Sequence, residues 1–313
     1  MIRSLVTLPL PGCLLSDAGV YAQPLRALLA DVGTSEVFLE RGEKLLGVRN
    51  APPTAKAAVG LAEVRGYRHA ILAVPGDLVD HRAALSVLYP HLEMHLLPIV
   101  PGDAKLMAMA WQGLVAGLPT AMPPPANADY RLLARSLEEH ARRQRRGLYP
   151  SAEWRRFLLG LLLGGTPVAP TSDDKAGLAK VALLGGLAGP GDLLDYIEMF
   201  GGRVVYDEWL ELSNEIFFGE EPFATLANSP LVCGLGAREQ RVTEILDEVD
   251  AIVLVVEPFC ASALEEAWVR SAFRKPILVI EADGLGHLDA TRVMRLENFA
   301  AMAFARARGG SGK

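Results

Sequence analysis

The chain has 313 residues, half of them hydrophobic, enough to bury a substantial core and to form two domains. A formal net charge of −6 excludes bulk electrostatic attraction to nucleic acid or to an anionic membrane surface. Three widely separated cysteines, Cys13, Cys233 and Cys260, make neither a disulfide framework nor the CxxC spacing of structural zinc, so a reducing, cytoplasmic setting is expected.

Arg3 and Leu10-Pro11-Gly12-Cys13 have the outline of a lipoprotein signal, but the apolar part is short and broken by Pro9 and Pro11. A short strand is expected from Ser4 to Leu8, then a Pro-Gly loop carrying Cys13, then a helix through Leu28 and Leu29. Further strand-like runs at Glu36 to Leu39, Ala70 to Val74 and His95 to Val100 are separated by stretches long enough for helices. This is the rhythm of a small parallel-sheet domain over residues 1–121. Its strand exits fall at Cys13, at Pro75-Gly76-Asp77 and at Pro101-Gly102-Asp103.

Residues 122–175 read as a linker and helical insert. MPPPANAD, from Met122 to Asp129, sets three consecutive prolines where neither a helix nor a central strand can run. Helices are expected from Tyr130 to Arg146, ending in the basic run Arg142, Arg143, Arg145 and Arg146, and from Ser151 to Leu163 with Ser151 as N-cap. The apolar part of the second, Phe157 to Leu163, is too short to span a bilayer.

A second βαβ rhythm fills residues 176–304. It begins with a strand at Val181 to Leu184, followed by the loop GGLAGPGD, a helix capped by Asp192 and a strand from Arg203 to Tyr206. Asp207 to Pro230 reads as irregular, and a helix follows from Ala237 to Val249. The unbroken apolar run AIVLVV from Ala251 and the run PILVIE ending at Glu281 then read as two buried parallel strands with a crossover helix between them. Cys260 leaves the first of these strands directly before that helix, where open α/β sheets bind ligands and a thiol is biased towards thiolate. Residues 305–313, with GGSGK, read as a flexible tail.

Several pieces of this pattern coincide with one family. They are Arg241 on a helix, then Pro258-Phe259-Cys260, then Pro276 to Glu281 with Asp283, then Arg295-Leu296-Glu297-Asn298-Phe299. Upstream, GGRVVYDEW (Gly201 to Trp209), EEPFATLA (Glu220 to Ala227) and PGCLLSDAG (Pro11 to Gly19) also match. Over most of its length the chain resembles the large-subunit family of 2-hydroxyacyl-CoA dehydratases and benzoyl-CoA reductases. The resemblance implies an α/β fold of two Rossmann-like parallel-sheet domains facing a cleft, with a helical insert between them. It also implies a homologous partner subunit in a heterodimer or homodimer, an iron-sulfur cluster, an acyl-CoA substrate and an ATP-dependent activator protein that delivers one low-potential electron.

Such subunits supply three cysteines to the cluster, and only Cys260 stands in a matching context. Where the family places others, this chain reads Val74-Pro75-Gly76-Asp77 and Pro52 to Thr54. Two arrangements stay open. Cys13, Cys233 and Cys260 converge as metal ligands with an open position for substrate, or the subunit has lost its cluster and serves a partner that kept one. Gly186 and Gly189 of GGLAGPGD, Asp77 and Cys260 are the residues expected around a bound cofactor. A rival from another class is a binding or scaffold protein that uses the same bilobed fold for a non-redox ligand.

Other features have plainer readings. The Arg142 to Arg146 run reads as a solvated helix end that complements the helix dipole, with contact to coenzyme A phosphates as the alternative. GGLAGPGD is neither GxGxxG nor GxxxxGK[ST], and GGSGK lacks the Ser or Thr of a phosphate loop. His91 and His95 have the spacing of a helical metal pair but fall where a loop runs into a strand. Asp247, Glu248 and Asp250 read as a solvated helix end.

Overall fold

A computed structural model gives the fold. It describes residues 4–7, 40–45, 47, 60, 63, 69–75, 90, 93–117, 131–162, 168–173, 175, 177–185, 192–217, 224, 227–228, 235–256, 262–281 and 287–310. The chain is α/β and divides into two compact units. The first comprises Met1–Tyr130, Leu162–Gly164 and Ser213–Gly234; the second comprises Arg131–Leu161, Gly165–Leu212 and Leu235–Lys313.

In the first unit β1 (Ser4–Thr7), β2 (His69–Pro75) and β3 (Glu93–Ile99) form a parallel sheet in that order. Helix α1 (Ala104–Gly117) follows β3. Its start is fixed by Asp103, whose carboxylate accepts the Leu106 N–H at 2.9 Å, as an N-cap does. Gly102, at φ 74°, makes the turn into that cap and donates its N–H to the Ala227 carbonyl at 2.9 Å. The expected strand at Glu36 to Leu39 and the helix at Leu28 and Leu29 lie outside the described residues.

The second unit opens with α2 (Arg131–Arg145) and α3 (Ser151–Leu162), the two helices read as an insert. There follow β4 (Ala179–Gly185), α4 (Leu193–Met199), β5 (Gly202–Asp207), α5 (Glu208–Phe217), whose residues from Ser213 belong to the first unit, α6 (Leu235–Thr243), β6 (Ala251–Val256), α7 (Ser262–Ala272), β7 (Ile277–Glu281) and α8 (Ala290–Gly310). Four parallel strands are ordered β5-β4-β6-β7. The region read as irregular from Asp207 therefore begins with α5, and the helix expected up to Val249 stops at Thr243 and ends in a single 3-10 turn at Leu246–Glu248.

Both faces of this sheet are covered, so its strands read as unbroken apolar runs. Val181 and Leu183 of β4, Val253 and Val255 of β6, and Leu278 and Ile280 of β7 pack with Leu193 and Ile197 of α4 and Leu296, Phe299 and Phe304 of α8. Their alternate neighbours Ala182, Leu184, Ile252, Leu254 and Val279 pack on the other face with Val242 of α6 and Val269 of α7. The period of two along each strand thus divides one hydrophobic run between two cores.

β5 is an outer strand, and α2 and α3 satisfy its backbone with side chains. The Ser151 hydroxyl accepts the Val204 N–H at 2.9 Å, while the Gln144 amide donates to the Val204 carbonyl at 2.6 Å. The register of β5 against β4 skips Val205, a bulge, and the Val205 carbonyl accepts from the Arg145 guanidinium. Buried Arg203 donates to the Gly147 carbonyl at 2.7 Å and to the Asp173 carboxylate at 3.0 Å. The Ser151 side chain is thus not a cap, because its hydroxyl serves β5 and donates to Glu198 at 2.8 Å. Asp192 sits at the start of α4 without capping it; its carboxylate accepts the Leu288 N–H at 2.9 Å instead. Asp250, read as solvated, accepts the Lys180 N–H at 2.8 Å and so ties the starts of β6 and β4 together.

Candidate functional site

The strand order decides where this sheet has its topological switch point. β4 leaves for β5 through α4 on one face, whereas β6 leaves for β7 through α7 on the other. The adjacent carboxyl ends of β4 and β6 therefore form a topological switch point, the place where open α/β sheets leave a crevice. At that edge Gly185 adopts φ +90°, and a Cβ on it would lie 2.1 Å from the Val255 carbonyl oxygen. Only glycine lets the end of β4 approach β6 this closely.

Three carboxylates gather beside this edge, on the last residue of β5 and the first turn of α5. Asp207, Glu208 and Glu211 are all buried, and each faces an arginine from a different helix. Glu208 accepts from Arg238 of α6 in a two-pronged pair, at 2.9 and 2.6 Å, and also accepts the Gly185 N–H at 2.9 Å. Arg238 in turn meets Glu265 of α7 at 2.6 Å and lies 5.1 Å from the centre of the Trp268 ring. Glu211 makes a second two-pronged pair with Arg145 of α2, at 3.1 and 2.5 Å. Arg145 lies 4.6 Å from the centre of the Tyr206 ring.

Asp207 is bound differently. One oxygen caps α5 by accepting the Leu210 N–H at 3.3 Å, and its own N–H donates to Glu211 at 3.3 Å. The other oxygen is buried, has no hydrogen-bond donor among the described residues, and faces Arg155 Nε of α3 at 3.6 Å, too long for a hydrogen bond. Burial pushes the Asp207 carboxyl up to about 6; Arg155 and the Leu210 N–H oppose the rise, and Glu211 and Glu208 add to it. The Tyr206 phenol is likewise raised well above its ordinary range by burial, then by Glu208 and Glu211. For Arg145 burial acts to lower the value, but Glu211 outweighs it and holds the guanidinium charged.

This group braces the carboxyl edge of the sheet. Its acids are matched by guanidinium groups, and through Glu208 it fixes the Gly185 turn at the switch point. The sequence reading missed α5, Glu208 and Arg238. The available signal was Asp207 followed by Glu208 and Glu211 directly after an apolar strand, the pattern of a helix start. Arg145 corrects another expectation. Within the basic run Arg142, Arg143 and Arg146 are exposed, but Arg145 is partly buried against β5 and Glu211.

Cys13, Cys233, Cys260, Gly186, Gly189 and Asp77, the residues singled out from sequence, all lie outside the described residues, as does His91. The strands that lead to four of them are described. Gly186 and Gly189 follow the end of β4 at Gly185, Cys260 follows the end of β6 at Val256, and Asp77 follows β2. His95 lies on β3, in register with Ile71. Among the described residues no group of three or more His, Cys, Asp and Glu side chains is arranged to hold a metal ion, and no helix is long and apolar enough to cross a membrane. No family model matches the chain, and no curated protein matches it.

Proposed function

We propose that the chain is a cytoplasmic subunit of a 2-hydroxyacyl-CoA dehydratase or benzoyl-CoA reductase-like assembly, built on two Rossmann-like domains. In this reading it works beside a homologous partner subunit, and its own iron-sulfur site is reduced or lost. The observation that carries the reading is the switch point. Two hydrogen-bonded neighbours, β4 and β6, end side by side; the glycine loop follows the first end in sequence, and Cys260, which the resemblance singles out, follows the second. The cysteine content supports the loss of ligands, since Val74-Pro75-Gly76-Asp77 stands where the family places a thiol.

An anaerobic iron and sulfide assay with an absorption spectrum tests the state of the cluster. The expected result is a colourless, iron-poor protein that copurifies from its native source with a partner carrying the full cysteine set. A brown protein with about four irons per chain, abolished by Cys260→Ser, would overturn the loss of the cluster. An isolated monomer that binds a small anion and takes no partner would overturn the assembly and favour a binding or scaffold protein.

A further inference from the structure

Asp207 is a buried carboxylate of the second unit whose bonding is incomplete. Glu208 and Glu211 each hold two parallel hydrogen bonds from a guanidinium group. Asp207 has only the long contact to Arg155 on its buried oxygen, and it is 3% exposed. Three carboxylates occupy the junction of β5 and the first turn of α5, so ionising the worst-bound of them sets a third negative charge beside two others. The charged groups facing it are Arg155 from α3 and Glu211 and Glu208 from α5. Behind the two glutamates stand Arg145 of α2 and Arg238 of α6, the latter shared with Glu265 of α7, and Tyr206 precedes Asp207 on β5. A buried carboxyl with one oxygen lacking a donor is relieved most simply by keeping its own proton.

We propose that Asp207 is a proton-operated latch at the junction of β5 and α5, protonated in mildly acidic conditions and releasing its proton towards neutral pH at a cost to the stability of the folded chain. The sign follows from linkage. A carboxyl raised to about 6 in the folded chain, against roughly 4 when unfolded, contributes stability that is fully present below about pH 4. That contribution is lost as pH rises through about 6.

Carbon-13 NMR of the full chain labelled at its aspartate carboxyls reads the proton directly. One aspartate is expected to titrate near pH 6, to vanish in Asp207→Asn, and to move to lower pH in Glu211→Gln, which removes a neighbouring charge. Urea unfolding adds the coupling. Between pH 5 and pH 7 the folding equilibrium constant of the parent chain should fall about tenfold relative to Asp207→Asn. If Asp207→Asn does not fold, the labelled parent chain decides alone. A full set of aspartates titrating below about pH 4.5, or parallel stability profiles for parent and variant, would overturn the latch.

Discussion

Gly185 concentrates the constraints of the switch point in one residue. Its φ of +90° alone is a conformation that L side chains rarely adopt, and the Val255 carbonyl occupies the space a methyl group would need. Gly177 separates these two effects, because it has φ +81° with nothing within 4 Å of a built Cβ. Gly177→Ala should therefore cost about 1 kcal/mol, the conformational term alone. Gly185→Ala should cost about 3 kcal/mol or more, since β4 and β6 must also move apart. Urea unfolding of both variants measures the difference, and equal losses would refute a close approach at the sheet edge. Glu208 belongs to the same scale. Replacing it with Ala leaves the Gly185 N–H without its acceptor and Arg238 with Glu265 alone, a loss of about 3 kcal/mol. Gln retains an acceptor for Gly185 and should recover part of that loss.

At the scale of elements, the outer strand β5 is finished by side chains. Ser151→Ala removes the acceptor of the Val204 N–H, a buried backbone donor, and should cost about 2 kcal/mol. Its specific sign is faster hydrogen exchange at the Val204 amide while the amides of β6 stay protected; unchanged exchange at Val204 would show that β5 does not rely on α3. Gln144→Leu is expected to cost more, because Gln144 serves the Val204 carbonyl and both backbone groups of Tyr149. These bonds explain what could be read from the residues. The runs at Ala251 and Ile277 were legible because a strand buried on both faces is apolar throughout, and the Arg203 to Tyr206 strand was legible from the β-branched pair Val204 and Val205 followed by Tyr206. Helix α5 was not, because its buried positions Glu208, Glu211 and Asn214 are polar and interrupt the apolar signal left by Leu210 and Leu212. Ser151 and Asp192 stand where helices start, but contacts distant in sequence claimed both side chains. Arg145 resembles its basic neighbours in every local respect and differs only in having Glu211 within reach.

For the whole molecule the same contacts determine where the chain can be divided. Composition places a boundary near residue 176, ahead of the β4 strand, with α2 and α3 as an insert. The contacts place Arg131–Leu161 in the second unit, with Tyr149, Trp154 and Phe157 buried and Gln144, Arg145 and Ser151 bonded to β5. A fragment of residues 131–313 retains these partners; a fragment of residues 176–313 has β5 with an open edge and leaves Glu211 and Asp207 without Arg145 and Arg155. Unpaired strand edges and uncompensated buried carboxylates each favour association or unfolding. The longer fragment should be monodisperse on size-exclusion chromatography and unfold cooperatively in urea. The shorter one should aggregate or lack a cooperative transition, and adding a peptide of residues 131–162 should restore part of the difference. Equal solubility and equal cooperativity of the two fragments would mean that β5 and the acids after it are stable without α2 and α3, and the sealing of that edge would then contribute little to the fold.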